Sequence, residues 1–518
     1  MDQLPHTDLR RVSLGALRDG LREAELHGGR EAAIAGIQYD SRLIRPGDLF
    51  AALPGADFDG HNFIEQADAN GAAALLVERL VESRLPQLVV ADSRAALASV
   101  AAEFYSHPSQ QLHAIGITGT DGKTTTCSLI DHTLRHAGIT TGSIGTLGIK
   151  IGDDLAYELP HQTTPESNLV QGYLREMVEH GVTHPVIEAT SHGLAMHRLD
   201  SIRFEIAAVT NMTHEHLEYH KTVENYWRTK STLVEWVAAK GGVVVLNADD
   251  PGAISALRYA TGARVVRTST LGPGAEISAS DVSTREGGTS FVVSTVNGEA
   301  QIHLPLIGGF NVDNALIAIG VSLAAGVDLQ TIAQALSTAP GVPGRLQRLD
   351  EGQPFGVVVD YAHTPESLRK ILGLLRTLHQ DRIIVVSGSG GERDATKRPL
   401  QGAVCAELAD LSIFANEDPR NEDPERILED IATGARNAGG VEGTSFHKIV
   451  DRRVAIERAF AEAQPGDCVL LAGKGHERSI IVGYEHTPWD EAAVARELLR
   501  ERGKRRRSIQ SHNVPTRG

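Results

Sequence analysis

Seven consecutive residues, Gly119-Thr120-Asp121-Gly122-Lys123-Thr124-Thr125, carry the densest chemistry in the chain. They follow the apolar run Ala114–Thr118 and open a stretch in which Ile130, Leu134 and Ala137 recur at i, i+4 and i+7 before Gly138. That pattern predicts a buried strand, a glycine turn and an amphipathic helix. Such a turn aims backbone N–H groups and the positive end of a helix dipole at an anion. Lys123 would neutralise β- and γ-phosphates and the Thr124 hydroxyl would face Mg²⁺, so ATP is the expected ligand. The loop is shorter than the common phosphate-loop pattern, because Ile117 stands where the first glycine belongs.

Phosphoryl chemistry also needs ligands for the metal. Glu188 ends the run "HPVIEATSHG", where a strand would deliver it beside the loop. Further on, "TNMTHEHLEYH" sets His214, His216 and His220 among Glu215 and Glu218. Spacing alone leaves both a magnesium role and a zinc site open there. Lys230, in "YWRTKSTLVEW", reads by itself as an ordinary helix lysine.

The elements that must position these residues follow a repeating plan. Apolar runs end abruptly in polar or glycine residues and lead into helical stretches, as in "FEIAAVTNMTHEH" and "GGVVVLNADD". This predicts an α/β fold with a mostly parallel sheet covered on both faces. The alternating, Thr- and Val-rich segment from about 275 to 305 predicts antiparallel strands inserted before a helix. Past "GVPGRLQRL" the plan restarts with "PFGVVVDYAHTP", "DRIIVVSGSGG", "DLSIFANEDPR" and "DCVLLAGKGHE". Ligands of open α/β sheets bind beyond the carboxyl ends of strands, so this part has its own binding rim. The expected domains are 1–110, 111–343 and 344–502, with a disordered basic tail at 503–518.

At 518 residues the chain exceeds what one core can serve. A net charge of −16 argues against non-specific nucleic-acid binding. Cys127, Cys405 and Cys468 are too dispersed for a metal site and suit a reducing compartment. The first residues lack an apolar leader core, and no run of 18 apolar residues occurs. A cytoplasmic, monomeric protein without membrane insertion is the expectation.

In combination and in order, the glycine loop, "EATSHGL", "HEHLEYH" with Lys230 ten residues on, "FNVDNAL", "VVDYAHTP", "GERDATKRPL" and "AGKGHE" resemble the Mur ligases of peptidoglycan assembly. The likeness runs from about Tyr39 to Ile480 and is greatest to the branch that adds a diamino acid. It implies a uridine-binding N-terminal domain, a central P-loop ATPase and a C-terminal Rossmann-like domain. Lys123, Glu188, His216 and Lys230 are then catalytic. Gly119, Thr120, Asp121, Gly122, Lys123, Thr124, Thr125, Asn311, Asn314, Arg345 and Asp360 would bind ATP. The metal ligands would be Thr124, Glu188, His216 and Lys230, the last carboxylated by CO₂ to a carbamate that serves a second Mg²⁺. Ser41, Gln162, Thr163, Thr164, Thr190 and Arg198 would bind UDP-MurNAc-L-Ala-D-Glu. Arg393, Glu417, Asp418, Pro419, Arg420, Gly473 and Glu477 would bind the diamino acid. The implied reaction makes an acyl phosphate on the D-Glu γ-carboxylate, protects it by domain closure, and passes it to an amine.

Several positions depart from the family pattern. Glu215 and Glu218 stand for aspartates, Gln162 for an asparagine and Met196 for a glutamine. Asp418 stands where enzymes that add meso-diaminopimelate carry asparagine, although their arginine is present as Arg420. Arg420 and Arg393 favour a substrate with a distal carboxylate. Asp418 leaves L-ornithine and L-lysine open, by tying up Arg420 or attracting an ammonium. A MurF-type or folylpolyglutamate-type ligase and a non-catalytic muramyl-peptide-binding paralogue are the remaining alternatives.

Overall fold

A computed structural model describes residues 11–55, 58–152, 155–157, 162–272 and 274–512. The extreme N-terminus and the last six residues of the basic tail lie outside this range. The chain divides into two compact units. The first holds residues up to Ser283 together with Thr289–Leu304 and Gly309–Ala339, and the second holds chiefly Pro340 onward.

The first unit contains two main sheets besides the short pair Val12–Ser13 and Ala33–Ile34. A five-stranded sheet is ordered Glu25–His27, Gln87–Val89, Ala74–Val77, Asp48–Ala51, Gly36–Gln38. Helix Ser93–Phe104 buries its alanine- and leucine-rich face on it. The large sheet begins with a short antiparallel edge (Leu155–Tyr157, Gly148–Ile151). It continues through Thr141–Gly145, His184–Glu188, Ala114–Thr118, Phe204–Val209, Val243–Asn247 and Arg264–Ser269, all parallel. The alternating segment then adds Ile277–Arg285, Gly288–Thr295 and Gly298–Leu304, the last pair antiparallel, as its sequence predicts. Helices Ser167–Glu179 and Val223–Ala238 cover one face. On the other, Gly309–Ala324 packs against Lys123–His136, and at Gly320 a Cβ would press on Val245. Within this unit Asn168, buried in its helix, donates to Ile37 O at 3.0 Å.

Apart from the hairpin Ser479–Val482 and Glu485–Pro488, the second unit has six strands ordered Gln347–Arg348, Gly356–Asp360, Cys468–Ala472, Ile383–Ser387, Leu411–Phe414, Phe446–Lys448. All but the first run parallel. The four central strands are buried almost throughout, which is why each reads as a continuous apolar run. Helices Pro365–Leu378, Lys397–Leu408 and Pro424–Asn437 cover one face, and Arg452–Glu462 and Glu491–His512 the other. The last helix corrects the tail expectation, since it continues to His512. Arginine, lysine and glutamate are good helix formers, and Arg500 is anchored to Glu351 at 2.8 Å. Among the described residues no helix is long and apolar enough to cross a membrane.

Candidate active site

The glycine loop leaves a strand buried at every residue and enters helix Lys123–His136 through Gly122. Gly122 has φ +84°, and a Cβ there would collide with the Asn314 amide oxygen. Gly119 likewise has no room, because a Cβ would meet the Thr210 hydroxyl. Both glycines are therefore required by conformation and by space. Asn211 fastens the loop, accepting from Thr120 N through its carbonyl (2.8 Å) and from Asp121 N through its side chain (2.9 Å). Lys123 folds onto the loop, its Nζ donating to Gly119 O at 2.9 Å and Thr120 O at 2.8 Å.

Register places Glu188. Its strand runs parallel to the loop strand with Glu188 opposite Ile117, so its carboxylate emerges next to the helix start. There Thr124 Oγ1 donates to Glu188 Oε2 at 3.1 Å. Thr146 donates from its N–H at 2.9 Å and from its hydroxyl at 3.0 Å. Glu188 is 1% exposed. A buried carboxylate beside a hydroxyl offers the hard oxygen donors that Mg²⁺ prefers while leaving positions for water and phosphate.

Lys230 is the residue whose sequence says least and whose place says most. Helix Val223–Ala238 buries it to 1% exposure, and its Nζ donates to Gly119 O at 2.6 Å, the carbonyl that Lys123 also uses. Its ring neighbour is Tyr226, 4.7 Å from Nζ. Burial, reinforced by Lys123, drives its pKa well below the ordinary lysine value. The shift favours the neutral amine, the form that carbamate formation requires.

His216 begins the short helix Leu217–His220 in the left-handed conformation, half-buried, with Glu218 at 3.4 Å and Glu215 at 3.7 Å. Its ring lies 4.6 Å from His192, whose pKa is pushed down to about 4 by burial and by His216 and His220. His214 is exposed, and among the described residues no three His, Cys, Asp or Glu side chains form a metal-holding group. The zinc alternative finds no such set. Magnesium held by Thr124 with Glu188, and by His216 with a modified Lys230, does not depend on one.

Of the residues expected at the muramyl peptide, Thr163, Thr164, Thr190 and Arg198 lie around Glu188. Thr164 donates to Glu188 O at 2.8 Å and lies 3.0 Å from Thr190, while Thr163 lies 3.1 Å from Thr146. Arg198 pairs with Glu166 at 2.8 Å and donates to Thr164 O. Arg94, which sequence reading passed over, reaches Glu166 at 3.3 Å. Gln162 is exposed. Ser41 sits in the five-stranded part, buried, its hydroxyl donating to Gln66 at 2.7 Å. Asn311 and Asn314 are hydrogen-bonded to each other at 3.1 Å, and Thr126 donates to Asn314.

Arg345 and Asp360 lie in the second unit. Asp360 accepts from Leu346 N and Ala362 N, both at 2.7 Å, and burial raises its pKa. The Arg345 guanidinium lies 4.8 Å from the Tyr361 ring centre. Of the residues assigned to the diamino acid, Asp418 and Glu477 meet at Lys474, a fully buried lysine inside "AGKGHE" that sequence reading did not single out. Lys474 Nζ reaches Asp418 at 2.9 Å and Glu477 at 2.5 Å, and Asp418 also accepts from Ile481 N at 2.9 Å. Asp418 is thus bound by Lys474 and does not tie up Arg420. Arg420 instead donates to Gly391 O at 2.6 Å, its backbone left-handed at φ +51°. Gly390 makes room for it and for the exposed Arg393, which both come within 3.5 Å of the absent Cβ. Glu417 is buried behind Gly473, and burial raises its pKa.

Family comparisons match along the whole plan. The model of the "Mur ligase family, catalytic domain" matches residues 33–105. The "Mur ligase middle domain" matches 117–322, and the "Mur ligase, glutamate ligase domain" matches 344–475. The chain is 46% identical over 484 residues to a UDP-N-acetylmuramyl-tripeptide synthetase of Roseiflexus sp. (strain RS-1), covering 91% of this chain and 95% of that protein. It is 42% identical to a UDP-N-acetylmuramoyl-L-alanyl-D-glutamate–2,6-diaminopimelate ligase of Geobacillus kaustophilus (strain HTA426), covering 92% and 97%. A solved structure of a ligase with that same name is 30% identical, covers 95% of this chain and all of that one, and superposes with a TM-score of 0.67.

Proposed function

The chain belongs to the Mur ligase family, and on that premise we propose that it joins meso-diaminopimelate to the D-Glu γ-carboxylate of UDP-MurNAc-L-Ala-D-Glu. It is an ATP-dependent amide ligase that adds a diamino acid to this nucleotide-linked dipeptide. The observation that carries the reading is the cluster at the glycine loop: Thr124 on Glu188, and Lys123 and Lys230 on one carbonyl.

The γ-carboxylate attacks the γ-phosphorus, ADP leaves, and an acyl phosphate remains. The amine of the diamino acid then attacks the acyl carbon, phosphate departs with the bonding pair, and the amine gives up its proton. Two anions meet in the first step, so the repulsion between them is the main obstacle. Lys123 and the loop N–H groups hold the phosphates. Thr124 and Glu188 would hold one Mg²⁺, and His216 with carboxylated Lys230 a second; bound there, the ions screen the phosphate oxygens. The Lys230 carbamate forms when its neutral amine adds to CO₂ and loses a proton. Thr163, Thr164, Thr190 and Arg198 orient the muramyl peptide around Glu188. Asn311 and Asn314 stand for the adenine side, and Ser41 for the uridine side.

In the second unit Glu477 and Gly473 take the α-amino end, and Arg420 with Arg393 takes the distal carboxylate. Support for diaminopimelate over L-lysine or L-ornithine comes from Asp418: its carboxylate is held by Lys474 and Ile481 N, and Arg420 faces a carbonyl rather than that acid. The three buried free cysteines suit a cytoplasmic setting.

The test is amine-dependent ADP release with Mg²⁺, bicarbonate and UDP-MurNAc-L-Ala-D-Glu, run with each diamino acid. Turnover greatest with meso-diaminopimelate is expected. Turnover greatest with ornithine or lysine would overturn the substrate, and none with any amine would overturn the ligase.

A further inference from the structure

Arg398 is the largest fully buried side chain of the described residues, 2% exposed, and the reaction above gives it no part. It is the second residue of helix Lys397–Leu408, which packs with backbone-close contact on helix Pro424–Asn437. A Cβ at Gly402 would strike Ile431 O, and one at Gly434 would strike Pro399 O. Between these helices the guanidinium reaches Asp430 at 3.0 Å. It also grips both oxygens of Glu422 at 3.0 and 2.9 Å and touches Gly390 O at 3.3 Å.

Burying a guanidinium carries a desolvation cost that a helix contact alone does not require. What this one secures is a pair of loops. Glu422 accepts the backbone N–H of Glu392, and Gly391 N donates to Asp418 O at 2.8 Å. Gly391 O in turn receives the Arg420 guanidinium. The chain of contacts runs from Arg398 through Glu422 and the Gly390–Glu392 turn to Arg420.

We propose that Arg398 and Glu422 are positioning residues that fix the Gly390–Glu392 turn, and through it the Arg420 guanidinium, for the distal carboxylate of the diamino acid. The inference rests on the reading of Arg420 given above.

Glu422→Gln keeps the shape and weakens the fork; Arg398→Lys keeps the charge and cannot span three acceptors. In both, the KM for meso-diaminopimelate should rise about tenfold or more, as expected when a binding group is displaced by a fraction of an ångström. The KM values for ATP and for the UDP-linked dipeptide, and kcat, should hold. Arg420→Ala should raise the same KM roughly 30-fold or more. Arg420→Ala/Glu422→Gln should be no worse than Arg420→Ala alone, because the second change acts through the first. Additive losses, or KM values of all three substrates rising together with a fall in Tm, would make the pair a fold brace only and overturn the proposal. An unchanged diaminopimelate KM in Glu422→Gln, with Arg420→Ala impaired, would overturn it while leaving Arg420 in place. An unaffected Arg420→Ala would remove the reading of Arg420 itself.

Discussion

Lys230 has two properties that one side chain rarely combines, burial to 1% exposure and an acceptor shared with a second lysine. Lys230→Ala should lower kcat about 100-fold or more, and millimolar formate or acetate should restore part of it by supplying the missing carboxylate. Full activity in the variant would end the carbamate assignment. The lowered pKa also has a consequence for stability. Between that value and the ordinary lysine pKa the unfolded chain holds the extra proton, so this site makes the fold more stable as pH rises and less stable as it falls. In CO₂-free buffer, urea midpoints should therefore climb more steeply for the parent than for Lys230→Met as pH rises toward the ordinary lysine pKa of about 10.4. Parallel curves would show that Lys230 is not neutral in the fold. Asp418 gives a third expectation. Asparagine can accept from both Lys474 and Ile481 N, so Asp418→Asn should leave the preference among the three diamino acids unchanged. A swing in kcat/KM toward diaminopimelate would mean that Asp418 reads an ammonium.

At the scale of elements, the site is an outcome of strand register. Glu188 faces Thr124 because its strand pairs in parallel with the loop strand, and Asn211 reaches the loop from the strand on the other side. Helix Gly309–Ala324 supplies the third support through Asn314 against Gly122. Gly122→Ala must hold a left-handed backbone and displace Asn314, at a cost of roughly 1–3 kcal/mol. ATP affinity measured by calorimetry should fall with it. Wild-type affinity with unchanged stability would show that the turn has another conformation open to it. The fold's strands and the strand–loop–helix order were legible because buried parallel strands must be apolar throughout and glycine loops must interrupt them. Thr146 left no such mark: it is an ordinary turn threonine until the chain brings it under Glu188.

Across the whole molecule, the two units each have their own core, and the second is closed by its last long helix. Arg452 and Glu491, 2% and 0% exposed, join that helix to helix Arg452–Glu462 through a bidentate pair with distances of 2.6–3.1 Å. Arg452 also donates to Ala472 O, at the end of the strand that leads into Gly473. Glu491→Ala leaves a buried guanidinium unpaired and should destabilise the protein by about 3–5 kcal/mol in urea unfolding. A loss below about 1 kcal/mol would show that water or another carboxylate replaces the glutamate.

Local chemistry and period are written along the chain. The α/β plan, the glycine loop, the placement of Glu188 at a strand end and the motif order shared with the Mur ligases can therefore be read along the chain. What each charged residue faces is settled by the folded arrangement, because desolvation and partner choice depend on groups far apart in sequence. Lys230 reads as a surface lysine until a loop 111 residues away buries it and shares a carbonyl with it. Asp418 reads as a rival for Arg420 until Lys474, 56 residues on, takes its charge.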